Sequence, residues 1–209
     1  MGLLRVPPIQ NYGKYMNTST HLHMTVLSAL FAALIAVGAF IAIPIGPIPI
    51  VMQNFFVLLT GLLLGPKWGT LTCGVYLLAG ALGLPVFAGG TGGIGRFFGP
   101  TGGYLLAYLP AVFVTGLISQ IGKKTIWGDS LAMILASLVI YALGTSWLKV
   151  STGMSWPNTL AVGMYPFLLG DALKITAAAF VVKTIRPMID NYSNTNQNIQ
   201  LSKPENNRQ

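Results

Sequence analysis

The chain has 209 residues, 53% of them hydrophobic and only 8% charged, with a formal net charge of +8. Ordinary soluble domains carry about 25% charged residues and a bilayer asks for about 20 consecutive apolar ones, so the composition reads as an integral membrane protein and excludes a soluble globular domain. The basic residues stand singly at the ends of apolar runs, which argues against a nucleic-acid partner and makes the charge a topology signal.

The first twenty residues include Pro7-Pro8 and several polar groups ahead of a full-length apolar run, a pattern that fits a retained first span better than a cleaved leader. His21 and His23 stand just before that run and read as interfacial side chains. The first span is expected over 24–43. It carries small residues four apart, Ala29 with Ala33 and Ala32 with Ala36, a spacing that lets another helix approach closely where lipid supplies no hydrophobic drive. Packing against a neighbouring span of the same chain is the simplest use of this spacing. Pro44, Pro47 and Pro49 then interrupt an apolar stretch; prolines cannot continue a helix, and the segment is expected to fold back over the protein.

The second and third spans are expected over 51–65 and 69–84, short and joined by a tight turn at Gly65-Pro66-Lys67. The single cysteine, Cys73, lies in the third and reads as a small packing residue. Next comes the glycine-rich segment Pro85 to Tyr104, with aromatics and Arg96. Non-helical backbone at membrane depth is tolerated only when buried or lining a cavity, so this segment is expected to cap a pocket. Further spans are expected over 101–121, 131–148 and 160–185. Pro166 suits a first helical turn and marks where the regular part of the last helix begins.

The expected fold is therefore all-α, with six transmembrane helices in a single domain over 1–190 and a polar, disordered cytoplasmic tail over 191–209. An even number of spans leaves both termini on one side. Arg5, Lys14, Lys67, Lys123, Lys124, Lys183, Arg186, Lys203 and Arg208 fall on that side and only Arg96 and Lys149 fall opposite, which makes it the cytoplasmic one.

Gly90, Gly92 and Gly95 form a literal G-x-G-x-x-G, but it follows a membrane span instead of a strand and has no acid at the required spacing, so a dinucleotide site is rejected. No P-loop, no Ser/His/Asp arrangement and no metal-spaced Cys/His cluster occurs in the sequence, and no cofactor is expected. The chemistry concentrates elsewhere. Asp171 and Lys174 lie inside the last apolar run, three apart and so on one helical face. A charge at mid-membrane costs roughly 2.5–3.5 kcal/mol on insertion scales, so such a pair faces a protein interior and marks a ligand or ion path. The alternative use is mutual neutralisation, holding helices in register.

Several blocks in order carry a family resemblance: Pro47 to Gln53, Leu62 to Pro66, Tyr76 to Gly90 (with Gly-Leu-Pro-Val-Phe-Ala-Gly-Gly), Gly99-Pro-Thr-Gly-Gly-Tyr104, and Gly170-Asp-Ala-Leu-Lys174. Together they resemble the BioY family, the biotin-binding membrane subunits (S components) of energy-coupling factor transporters, over about 27–185 of the chain. The resemblance implies a pocket opening outward in the bacterial cytoplasmic membrane, and a non-enzymatic subunit that works with a transmembrane T component and two ABC-type ATPases. It also implies that the alanines from Ala29 to Ala36 dock on the T component, with the register open. Asp171 and Lys174 match the family's ligand-facing acid and base. Chemistry then suggests roles: Asp171 accepts from the ureido N–H groups, Lys174 or Arg96 neutralises the carboxylate, and Phe87 and Tyr104 form the walls, with Trp147 and Trp156 as further wall candidates. The rival expectations are an S component for another vitamin and a proton-coupled carrier titrating at Asp171.

Overall fold

The computed structural model describes residues 10–43, 47–122 and 125–202, and side chains for 21–43, 47–122 and 125–188. The long elements are helices: α1 Gln10–Phe40, α2 Gln53–Ala81, α3 Gly102–Ile121, α4 Ile126–Thr152 and α6 Tyr165–Ser202, with a short α5, Trp156–Gly163, before the last. Two two-residue strands, β1 Ala42–Ile43 and β2 Ile50–Val51, pair antiparallel with Ala42 opposite Val51.

One residue decides the course of α2. Gly65 leaves the helix at φ 76° and ψ −178°, a region open essentially to glycine alone, and Pro66 follows it. In a straight helix, Gln53 and Tyr76 would stand about 35 Å apart at 1.5 Å per residue. Instead the Gln53 side-chain amide donates to the Tyr76 hydroxyl at 2.8 Å. The chain has doubled back, and α2 is two antiparallel limbs, 53–64 and 66–81. The expected second and third spans fall on these limbs.

Five helical stretches are long and apolar enough to cross a membrane: His21–Phe40, Gln53–Ala81 taken as one, Gly102–Ile121, Ile126–Thr152 and Trp156–Met188. Each sends residues to a common interior. Ile35, Val57, Cys73, Val112, Met133, Leu148 and Val182 are fully buried there. The opposite faces remain apolar and exposed, as Leu30, Val75, Phe113, Leu138, Leu173 and Phe180 illustrate. In water such faces would associate, whereas hydrocarbon is their natural solvent.

The bundle has two unlike ends. At one end lie the β1–β2 hairpin and the glycine-rich segment with its 3₁₀ turn, Ile94–Phe97. Of the proline segment, Pro44 lies outside the described residues; in the described part, 47–49, Ile48 is buried. At the other end Arg186 makes a two-pronged bridge to Asp129, at 2.8 and 3.0 Å, and reaches Ser119 Oγ at 2.9 Å and the Leu62 carbonyl at 3.3 Å. One guanidinium thus ties together α2, α3, α4 and α6.

Several boundaries differ from the expected spans; α4, for one, runs Ile126–Thr152 where 131–148 was expected. Helix α1 stops at Phe40, because Ala42 and Ile43 leave it to pair with β2. The last span is interrupted at Met164 between α5 and α6, and the long helix starts at Tyr165, one residue before Pro166. Helix α6 itself runs on to Ser202. Extending an existing helix adds one hydrogen bond per residue fixed, far easier than starting a new one, so a weakly helical Asn/Gln-rich sequence can follow a strong helix.

Candidate ligand-binding site

Asp171 sits two turns into α6, and Lys174 follows it on the same face with its ammonium 3.2 Å from Asp171 Oδ1. Both side chains are nearly buried, at 9% and 10% exposure, so each charge needs partners. Asp171 Oδ1 also accepts from Asn54 Nδ2 at 2.7 Å, and Oδ2 accepts from the Tyr141 hydroxyl. Lys174 donates to Asn54 Oδ1 at 3.0 Å and to the Val51 carbonyl at 2.8 Å. With Asp171 these fill the three N–H positions of an ammonium. A carboxylate offers about four acceptor positions, and three of those on Asp171 are taken. One acceptor position therefore remains, and no donor position on Lys174.

This network borders a cavity of about 170 Å³ at the hairpin end of the bundle. Phe87, Arg96, Tyr104, Asp171 and Lys174, the five ligand-site candidates from the sequence, all line it. Phe87 is buried and meets Tyr76 and Phe97 edge to face, with ring centroids 5.7 Å apart in both cases. Its backbone pairs with Thr91 across a tight glycine turn, N to O 2.8 Å. Tyr104 donates to the Gly163 carbonyl at 2.7 Å, and its ring lies where a side chain on Gly144 would have to go. Arg96, by contrast, is exposed; its backbone N–H donates to the Gly93 carbonyl at 3.1 Å, while its guanidinium has no hydrogen bond or ion pair among the described residues.

Two wall candidates fall elsewhere. The Trp147 indole N–H donates to the Gly99 carbonyl at 2.9 Å, pinning the glycine-rich segment from outside the cavity. Trp156 is half exposed under the Lys149 ammonium, 5.4 Å from its ring centroid. Sequence reasoning missed Asn54, Tyr108, Ser137 and Tyr141, all at the cavity. Their signal was a polar atom inside an apolar span, the same signal that exposed Asp171, weakened because Ser, Tyr and Asn are common in membrane helices. Among the described residues no group of three His, Cys, Asp or Glu could hold a metal ion.

The alanine stripe divides. Ala32 and Ala36 pack against the core, whereas Ala29 and Ala33 are exposed on the outer face of α1.

Fold and site together define a helical membrane protein with a small, partly open cavity lined by both polar and apolar side chains, suited to a small ligand. The sequence model of the BioY family matches residues 15–191. The chain belongs to the BioY family. It is 42% identical over 160 residues to the probable biotin transporter BioY of Pyrococcus horikoshii, covering 77% of this chain and 94% of that one. To the biotin transporter BioY of Thermotoga maritima it is 41% identical over 162 residues, with the same coverage of each. Among solved structures, the crystal structure of the S-component for biotin from an ECF-type ABC transporter is similar, with a TM-score of 0.75, 31% identity, and coverage of 81% of this chain and 93% of that one.

Proposed function

We propose that this chain is the biotin-binding S component of an ECF-type transporter and has no enzymatic activity. The observation that carries the reading is the charge around one cavity: a nearly saturated Asp171–Lys174–Asn54–Tyr141 cluster and an Arg96 guanidinium without a partner among the described residues line it together. Biotin has matching ends, a ureido group and a carboxylate, joined by an apolar body. Asp171 accepts from a ureido N–H through its remaining position. Arg96, with five guanidinium N–H donors and none committed among the described residues, takes the carboxylate, while Lys174 serves the network instead of the guest. Phe87 and Tyr104 flank the apolar body.

Counting the two limbs of α2 separately gives six transmembrane helices. The excess of Lys and Arg at the Gly65 turn and near the termini supports a bacterial cytoplasmic membrane with both termini inside and the cavity opening outward. With no P-loop in the sequence, ATP would be used by partner subunits, a T component and two ABC-type ATPases. Of the two alanine registers, Ala29 and Ala33 are the pair free to meet the T component, since Ala32 and Ala36 are already used in packing.

Calorimetry of the detergent-solubilised chain with biotin, thiamine and riboflavin tests the reading. Heat at one-to-one stoichiometry for biotin alone is expected. Binding of another vitamin in preference to biotin would overturn the ligand assignment.

A further inference from the structure

Serine and threonine hydroxyls in this bundle generally donate to the carbonyl four residues back. Thr60, Thr115, Thr145 and Thr159 do so at 2.6–2.9 Å. This habit satisfies a hydroxyl in a helix interior at little cost. Among the described residues three buried side-chain hydroxyls lack a hydrogen-bond partner: those of Ser28, Thr70 and Ser137. Ser137 alone among them lines the cavity.

Its place on α4 gives that hydroxyl a purpose. Ser137 lies one turn before Tyr141, about 6 Å further from the hairpin end at 1.5 Å per residue, and Met133, one turn further still, is fully buried. Ser137 is therefore the deepest polar contribution of α4 to the cavity, next to the turn whose tyrosine donates to Asp171. The Tyr108 hydroxyl, from α3, also borders the cavity and makes no hydrogen bond among the described residues. Acceptor capacity on Asp171 and uncommitted donors on Ser137 and Tyr108 thus share the inner part of the site. A cyclic urea carries the complementary pattern, N–H donors flanking a carbonyl acceptor.

We infer that Ser137 is a specificity-determining residue, its hydroxyl donating to the ureido carbonyl oxygen of the bound guest. The inference rests on the biotin reading above and deepens it. A buried hydroxyl without a partner is unfavourable, and a guest that satisfies it is preferred over one that fills the same space without an acceptor there.

The test compares the full chain with Ser137→Ala and Ser28→Ala, all in detergent, by calorimetry with biotin, with desthiobiotin, which keeps the urea and lacks the thioether, and with the thiourea analogue of biotin, a weaker acceptor. Ser137→Ala is expected to weaken biotin and desthiobiotin alike by about three- to tenfold, and the thiourea analogue by less than about twofold. Ser28→Ala, which removes an equally unpartnered hydroxyl away from the cavity, is expected to bind all three as the parent does. Parent-like biotin affinity in Ser137→Ala overturns the inference, as does a loss that disappears with desthiobiotin, which would place the hydroxyl on the sulfur. Failure of the unaltered chain to bind biotin overturns the functional reading itself and this role with it.

Discussion

Lys174 and Arg96 border the same cavity, and they differ in what they have left to give. The lysine has spent its three protons on Val51, Asn54 and Asp171, while the arginine has spent none among the described residues. Removing each should therefore fail differently. Arg96→Ala is expected to weaken biotin by about tenfold or more, since hydrogen bonds to charged groups are the stronger ones, while leaving the affinity for biotinamide, which lacks the carboxylate, nearly unchanged. Isothermal titration of both ligands decides it. Lys174→Met instead leaves Asp171 buried without its cation, so both the melting temperature and the affinity should fall, for biotin and its amide equally. Asp171→Asn keeps the size and the Tyr141 contact but loses the charge, and a loss of about tenfold in biotin affinity is expected. Equal effects of Arg96→Ala on acid and amide would return the carboxylate to Lys174.

At the scale of elements, the hairpin within α2 is the clearest local determinant. An alanine at Gly65 would have to hold a positive φ beside an extended ψ, at a cost of about 1–3 kcal/mol, and its Cβ would meet the Gln120 side chain. Gly65→Ala is expected to lower the melting temperature in detergent while the folded fraction keeps its biotin affinity, because the turn lies at the far end from the cavity. This turn was legible in the sequence because Gly-Pro-Lys interrupts an apolar run with conformational, steric and charge signals together. The Asp171–Lys174 ion pair was legible as well, because a spacing of three leaves little choice of face. The Asp129–Arg186 bridge was not. Its partners stand 57 positions apart and each reads singly as an interfacial charge, so only the packing of α4 on α6 brings them together. The same holds for Asn54 and Tyr141, which reach Asp171 across 117 and 30 positions. Local periodicity contains no record of such pairings.

For the whole molecule, the two ends carry different duties. The Arg186 clamp involves no residue of the candidate ligand cavity, so Arg186→Ala, which strands a carboxylate that is only 4% exposed, should cost about 3–5 kcal/mol of stability with little direct effect on the ligand. Thermal unfolding followed alongside biotin binding checks this separation. The flank of α1 separates in the same way. Ala33→Trp, on the exposed register, should spare biotin binding and block co-purification with the T component and ATPases; Ala36→Trp should damage folding, being packed on the core. The positions of the aromatic residues bear on how any of these titrations is read. None of the four tryptophans borders the cavity; Trp147 is held on the outside of the cap and Trp127 is 85% exposed. Contact quenching is short-ranged, so a guest in the cavity is not expected to quench the native indoles by direct contact, and a flat fluorescence trace is no sign of an empty site. Phe167, which does border the cavity, is the position where an introduced indole would give the bundle a built-in lamp.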